Sequence, residues 1–251
     1  MSEISDGIGQ QFLRLTHHRH IPPSAQSQGL PQPALELPYP LAAPLVMLPD
    51  AGQVTTPPLD LRQAIEQRVT VRTYAEQPLS LAELSFLLWA TQGVKEVTAR
   101  PVTLRTVPSA GARHAFETYL LINRVEGLQP GLYRYVALEN ALLPVRMDAE
   151  IVTLLTEGCY DQRQVSGSAV TFIWAAVTER MTWRYGERGY RYLLLDAGHV
   201  CQNLYLAAEP LHCGVCAIAA YDDDVLNEAL GLDGETQFVI YLASLGRRTN
   251  C

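Results

Sequence analysis

Four short segments of this chain hold residue types that could do chemistry. The first is Arg68-Val69-Thr70-Val71-Arg72. Its β-branched residues favour extended backbone, and in an extended chain positions 68, 70 and 72 point the same way. Two guanidinium forks and a hydroxyl on one face suit a phosphate dianion, which arginine grips with paired donors. The competing reading is solvated surface charge. The second segment is Pro108-Ser109-Ala110-Gly111-Ala112-Arg113-His114. Its small side chains let backbone N–H groups come close to a flat ligand or an anion, although an ordinary loop has the same composition. Neither GxxxxGK[ST] nor GxGxxG is present, so the usual nucleotide loops are absent.

The third segment, Thr182 to Tyr192, alternates aromatic and basic residues. Its rings could stack on a planar ligand and Tyr185 could donate a proton; the alternative is rings packed for stability at the start of a helix. The fourth is His212-Cys213-Gly214-Val215-Cys216. CxxC suggests metal or redox work. There is no second CxxC, however, and in a strand alternation puts Cys213 and Cys216 on opposite faces. Structural cysteines are the better reading. His17, His18 and His20 cluster without a companion ligand set, so a solvated tract is favoured over a metal site. No metal is expected.

Something must position these groups. The 251 residues are 48% hydrophobic and 18% charged, enough for one large domain or two small ones around a sizeable core. Wholesale disorder is excluded. A net charge of -7 lacks the electrostatic footprint of a nucleic-acid binder, yet leaves room for a local basic pocket that takes a small anion. No apolar run approaches the roughly 20 residues of a membrane span. MSEISDGIGQ carries no signal pattern, and five cysteines in this length make no disulfide scaffold. The expectation is a cytoplasmic protein with free thiols and no membrane partner.

Residues 1–58 hold many of the 16 prolines and read as an irregular arm wrapped over a surface, with Leu35, Leu37, Leu41, Leu45, Val46 and Leu48 to dock it. Residues 59–251 form the folded domain. A short helix begins near Leu59. Ser80 and Glu83 have capping-box spacing before LAELSFLLWA. Strands are expected at 117–125, 131–136, 169–177, 213–220 and 237–246, and helices at 148–157 and in DDDVLNEALGL. The segment 190–208 is apolar almost all round, so it lies in a core or a subunit interface. The pattern is a mixed α+β domain without internal repeats.

In order, these pieces resemble the nitroreductase-like flavoproteins, and among them the SagB/ThcOx-type dehydrogenases, which include azoline oxidases of peptide natural-product pathways. The resemblance runs from about Leu59 to Arg248. It rests on EQRVTVRTYAEQPLSLAELSFLLWATQGV, VPSAGARHAFETYLLI, WRYGERGYRYLLLDAGHVCQNLYLAAE and CGVCAIAAYDDDVLNEALGL. It implies an α+β nitroreductase-like fold, a central, mostly antiparallel sheet flanked by helices in a domain-entwined homodimer, with FMN bound at the dimer interface. Carried over by position, Arg68, Val69, Thr70 and Arg72 would hold the phosphate, with Thr70 where Ser is usual. Pro108, Ser109, Ala110, Gly111 and Ala112 would line the ribityl chain and ring. The backbone at Ala219 and Ala220 would face the reactive edge of the isoalloxazine, and Arg247 and Arg248 would add to the phosphate grip.

The resemblance also implies hydride transfer between substrate and flavin N5 in a ping-pong cycle, with Arg184 and Tyr185 as the catalytic pair. Azoline oxidases of the subgroup carry Lys-Tyr there. Arginine effectively cannot act as a base, so Arg184 puts azoline oxidation in doubt and leaves FMN binding untouched. Two reactions stay open: azoline dehydrogenation of a modified peptide with O₂ reoxidising the flavin, and reduction of nitroaromatics or quinones with NAD(P)H as electron donor. A third reading is a non-catalytic flavin-binding module that supports a partner protein.

Overall fold

The computed structural model describes residues 7–249. In chain order the helices are α1 (Ile8–Leu15), α2 (Leu61–Gln67), α3 (Leu81–Gln92), α4 (Glu150–Gly158), α5 (Gln164–Gly167), α6 (Thr178–Tyr185), α7 (Gly189–Ala208) and α8 (Asp223–Leu230). The strands are β1 (Val46–Met47), β2 (Val94–Val97), β3 (Thr103–Arg105), β4 (Phe116–Ile122), β5 (Gly131–Val136), β6 (Ala141–Arg146), β7 (Val170–Val177), β8 (Cys213–Ile218) and β9 (Gln237–Arg247). Seven strands form one sheet in the order β1-β6-β5-β4-β7-β9-β8, every pairing antiparallel, and β2 and β3 make a separate hairpin. This is the expected α+β architecture.

Strand β7 explains why the sheet sits at the centre. Phe172 and Trp174 face one apolar cluster and Ile173 and Ala175 the other, all essentially fully buried. A strand covered on both faces reads as a continuous apolar run rather than an alternating one. On the first face lie α3 and α7, through Leu84, Leu88, Leu193, Ala197 and Leu204. On the second lie α4 and α8, through Ile151, Leu155 and Leu226. The capping box at α3 forms as its spacing requires: Ser80 Oγ accepts from the Glu83 amide at 3.2 Å, and the Glu83 carboxylate accepts from the Ser80 amide at 2.8 Å. Helix α7 covers the sheet with one side only. Leu194 and Leu195, 59% and 60% exposed, stand on its outer side in the single chain.

The proline-heavy arm has more regular structure than its composition suggests. It contributes α1 and the edge strand β1, and wraps over its own chain. Prolines deny this segment a helix or a ladder, so its carbonyls find other donors. Arg180 Nε donates to the Ala34 carbonyl at 2.9 Å, and Arg134 Nη2 to those of Leu37 and Pro38 at 3.0 and 3.1 Å. Both guanidiniums surround buried Glu117, at 2.6 Å for Arg180 and 3.9 Å for Arg134, and the Glu117 carboxylate accepts from the Leu37 amide at 2.8 Å. Residues near Thr182 also differ from expectation. They belong to a separate helix, α6, which Gly186 (φ 53°) breaks from α7.

Candidate functional site

The segment after α2 lies along the outer edge of β8. Asp60 caps α2 by accepting from the Arg62 amide at 2.9 Å, and the helix ends at Arg68. Thr70 then bridges Val215 in parallel, and the Val71 amide donates to the Val215 carbonyl at 3.0 Å. Two glycines admit this segment. Gly214 and Gly246 are cross-strand partners on β8 and β9. A Cβ on Gly214 would overlap the Val71 side chain, and one on Gly246 would lie 2.8 Å from the Tyr74 ring. Tyr74 is pinned beneath, its hydroxyl donating to the Val71 carbonyl at 2.8 Å and lying 2.9 Å from Ser244 Oγ.

The expected convergence of positions 68, 70 and 72 is met in part. Arg68 stacks over the Tyr205 ring at 5.3 Å, and Thr70 Oγ1 lies 3.4 Å from the Tyr205 hydroxyl, which accepts from the Ala217 amide at 3.0 Å. Arg72 turns instead to the Cys216 thiol. Among the described residues neither arginine pairs with a carboxylate. Arg72 and Val69 are exposed, Arg68 is half-buried. Ala219 and Ala220 follow the end of β8, exposed, and their amides have no acceptor among the described residues.

Arg247 and Arg248 stand differently from Arg68 and Arg72. Arg247 Nη2 donates to both Glu83 carboxylate oxygens at 2.6 and 2.7 Å, and its Nη1 to the Leu211 carbonyl at 2.6 Å. Arg248 Nη2 holds Glu209 at 2.5 Å. Burial disfavours the Glu83 carboxylate, but hydrogen bonds from Arg247 and Ser80 outweigh it and hold its pKa below the usual range. Both guanidiniums tie the end of β9 to its neighbours rather than standing open to an anion.

A second group forms around the loop 108–114. Ser109 Oγ accepts from the His114 amide at 2.9 Å, and the Ala110 amide points between both oxygens of Asp196 at 3.3 Å. Gly111 (φ 59°) presses on α6, where a Cβ would overlap the Tyr185 hydroxyl and fall 2.9 Å from Arg184 Nε. Ala112 (φ 54°) and His114 (φ 43°) share this left-handed backbone, a strain that proteins keep where geometry matters. The second and third sequence segments thus meet. Arg113 stacks over the Trp183 ring at 5.2 Å, and Tyr185 meets the edge of Tyr192 at 4.7 Å. Burial, with Arg105 and Arg113 beside it, drives the His114 pKa down to about 3, so its ring is neutral.

Helix α7 spans the two groups. Asp196 holds the loop and Tyr205 backs the arginine segment, nine residues on. At 1.5 Å per residue that is about 14 Å. One chain therefore carries two groups of candidate residues, one near each end of this stretch of α7. Composition marks neither Asp196 nor Tyr205; each is a buried polar group on the inner side of a mostly apolar helix. The cysteines of the CxxC motif are packed into the core. Cys213 and Cys216 face opposite clusters, as alternation requires, both buried, and burial lifts the Cys213 thiol to about 12. Among the described residues no group of His, Cys, Asp or Glu could hold a metal ion, and no helix is long and apolar enough to cross a membrane.

Comparison with known proteins agrees with this architecture. The Nitroreductase family profile matches residues 65–247. A protein of Methanocaldococcus jannaschii named as a nitroreductase is 32% identical over 203 residues, which span 81% of this chain and 96% of that one. The microcin B17-processing protein McbC of Escherichia coli is 28% identical over 142 residues, 53% of this chain and 50% of McbC. That likeness agrees with the SagB-type resemblance. A solved structure of the E. coli microcin synthetase McbBCD complex superposes with a TM-score of 0.61 at 20% identity, covering 96% of this chain and 93% of that one, a likeness of fold. The chain belongs to the nitroreductase family, whose oxidoreductases use FMN.

Proposed function

We propose that this protein transfers hydride between an organic substrate and FMN, in a site completed by two copies of the chain. The observation that carries the reading is the pair Arg68 and Arg72, cations left without a carboxylate on one edge of an acidic protein. FMN fits the groups present. Arg68, Val69, Thr70 and Arg72 offer guanidinium, hydroxyl and backbone to its phosphate, and Ala219 and Ala220 offer unpartnered amides. Bound there, FMN would supply a hydride-accepting and hydride-donating ring.

The rest is work for side chains of this protein. Tyr205 fixes the spacing of Arg68 and Thr70. The amides of Ala219 and Ala220 at the end of β8 would offer donors to negative charge on the bound ring, and such preorganised donors are worth most when water is excluded. The loop Pro108 to Ala112 gives a small-residue wall backed by Asp196. Tyr185 holds a proton at its hydroxyl beside Gly111, and Arg184 stabilises charge and orients substrate without acting as a base.

The separation along α7 supports a shared site, with the arginine segment from one protomer and the loop with Arg184 and Tyr185 from its partner. Leu194 and Leu195, exposed on α7 just before Asp196, offer apolar surface for that contact. The purified protein should be yellow and dimeric; a preparation that stays colourless with added FMN overturns the reading.

Two reactions fit. The SagB-type resemblance, with the likeness to the microcin B17-processing protein McbC, supports dehydrogenation of an azoline in a modified peptide, with O₂ as acceptor. Arginine at position 184 favours the other, NAD(P)H-driven reduction of a nitroaromatic or quinone. Anaerobic bleaching of the flavin by NADPH, set against bleaching by an azoline peptide, separates them. Bleaching by neither removes both substrates and leaves the non-catalytic partner module.

A further inference from the structure

A cavity of about 690 Å³ opens beside the loop 108–114, between the arm at Gln26 and Gln32, the β2–β3 hairpin, and Trp183 and Arg184 of α6. Its volume is that of a small-molecule site. Its charge is unusual for this protein. Three arginines, 100, 113 and 184, line it and no Asp or Glu does, in a chain with seven more acidic than basic residues. Among the described residues none of the three pairs with a carboxylate.

The arginines are close enough to disfavour one another. Burial lowers the Arg113 pKa, and repulsion from Arg184 and then Arg100 adds to it, with Tyr185 opposing. Arg113 is held in that position by the Gly111 carbonyl, at 3.1 Å from its Nε, and by the Trp183 ring. Bringing like charges together on a largely buried guanidinium is unfavourable unless an anion completes the site. The hairpin that carries Arg100 also gives the cavity apolar lining, from Ala99, Pro101, Val102 and Leu104. The arm closes the rim: the Gln26 amide donates to the Trp183 carbonyl at 2.9 Å, and the Trp183 indole donates to the Leu30 carbonyl at 2.9 Å.

We infer that this cavity binds an organic anion, its carboxylate or phosphate between Arg100, Arg113 and Arg184 and its apolar body against the hairpin. Within one chain the site lies on the loop side of α7, away from Arg68 and Arg72, and its arginines are not those of the phosphate grip. The inference rests on the flavin reading only for its role in the reaction, where Arg184 would bring the bound anion beside Tyr185. Carboxylate and phosphate share this chemistry but come from different substrates, an acidic peptide or a nicotinamide dinucleotide.

The test is calorimetric titration of the protein as purified, at constant ionic strength, with adenosine 2′,5′-bisphosphate in one arm and a tetraglutamate peptide in the other. Saturable binding of at least one probe is expected, weakened tenfold or more in Arg100→Ala and in Arg113→Met, and retained in the Arg68→Ala/Arg72→Ala double variant. The probe that binds names the source of the anion. Arg100 is exposed, so Arg100→Ala keeps the test valid if Arg113→Met fails to fold. No saturable binding of either probe overturns the inference. So does binding that is unchanged in Arg100→Ala, or lost in the double variant. Flavin content is read from the same preparations. A colourless protein that still binds anion through Arg100 defeats the flavin reading alone, and a yellow protein that binds neither probe defeats the anion site alone.

Discussion

Gly214 and Gly246 oppose each other across β8 and β9, and the space their missing side chains leave is filled by Val71 and Tyr74. The arginine segment owes its position to that pair. Gly214→Ala would force Val71 outward, an overpacking of the kind that costs roughly 1–3 kcal/mol, and would carry Thr70 and Arg72 with it. The expected result is a folded protein with a lower melting temperature and at least tenfold weaker FMN retention. Thermal unfolding and flavin absorbance after desalting measure both. Full retention in Gly214→Ala would show that the segment is not seated by the glycine pair.

The contact between Gly111 and Tyr185 gives a second test. Alanine at 111 meets two obstacles, the left-handed backbone and the Tyr185 hydroxyl. Gly111→Ala should destabilise by about 1–3 kcal/mol. Tyr185→Phe removes the oxygen that a Cβ would strike, so the double variant should recover part of the loss. Such non-additivity is the mark of direct contact. Denaturant unfolding of both single variants and the double variant checks it, and strictly additive losses would contradict the contact.

His114 sets an acid dependence. Its folded-state pKa of about 3 lies below the ordinary 6.5, so between those values the unfolded chain binds the proton and the folded chain does not. Unfolding free energy therefore rises with pH through that window, and stability falls on acidification below pH 6.5. His114→Gln should flatten the slope of melting temperature between pH 6.5 and 5, above the range where most carboxylates titrate. An unchanged slope would mean that the imidazole is not held neutral.

Glu117 carries the arm. Replacing it with Ala would leave Arg180 and Arg134 buried with no carboxylate between them, a loss of about 3–5 kcal/mol for a broken buried ion pair. The segment around Leu37 would lose its anchor. Limited proteolysis should cut Glu117→Ala in the arm well before the wild type. Equal cleavage rates would show that the arm is held by other contacts.

Much of this was readable in the residues, for identifiable reasons. AVTFIWAAV announces β7 because a strand buried on both faces has no polar alternation to hide it, and Ser80 with Glu83 announces α3 because a cap is a local interaction. Arg68 to Arg72 read as extended because β-branched residues dominate it. The long-range part was not readable. A guanidinium awaiting an anion and one holding a carboxylate look alike in sequence, and the partner of Arg247 is Glu83, 164 residues away. The helix α6 was hidden because only the three residues Gly186 to Arg188, themselves a single 3-10 turn, separate it from α7. The strand β6, with Pro144 inside it, lacks the pattern of an interior strand, which its place beside the two-residue edge strand β1 excuses.

The role proposed for Arg68 and Arg72 is to hold the FMN phosphate. Its most direct test is the FMN dissociation constant of the wild type and of Arg68→Ala/Arg72→Ala, followed by flavin fluorescence on titration of the flavin-stripped protein. The account predicts saturable binding by the wild type and at least a hundredfold loss in the double variant, with riboflavin, which lacks the phosphate, binding both proteins alike. Equal FMN affinity in the two proteins, or no binding by the wild type, would contradict it.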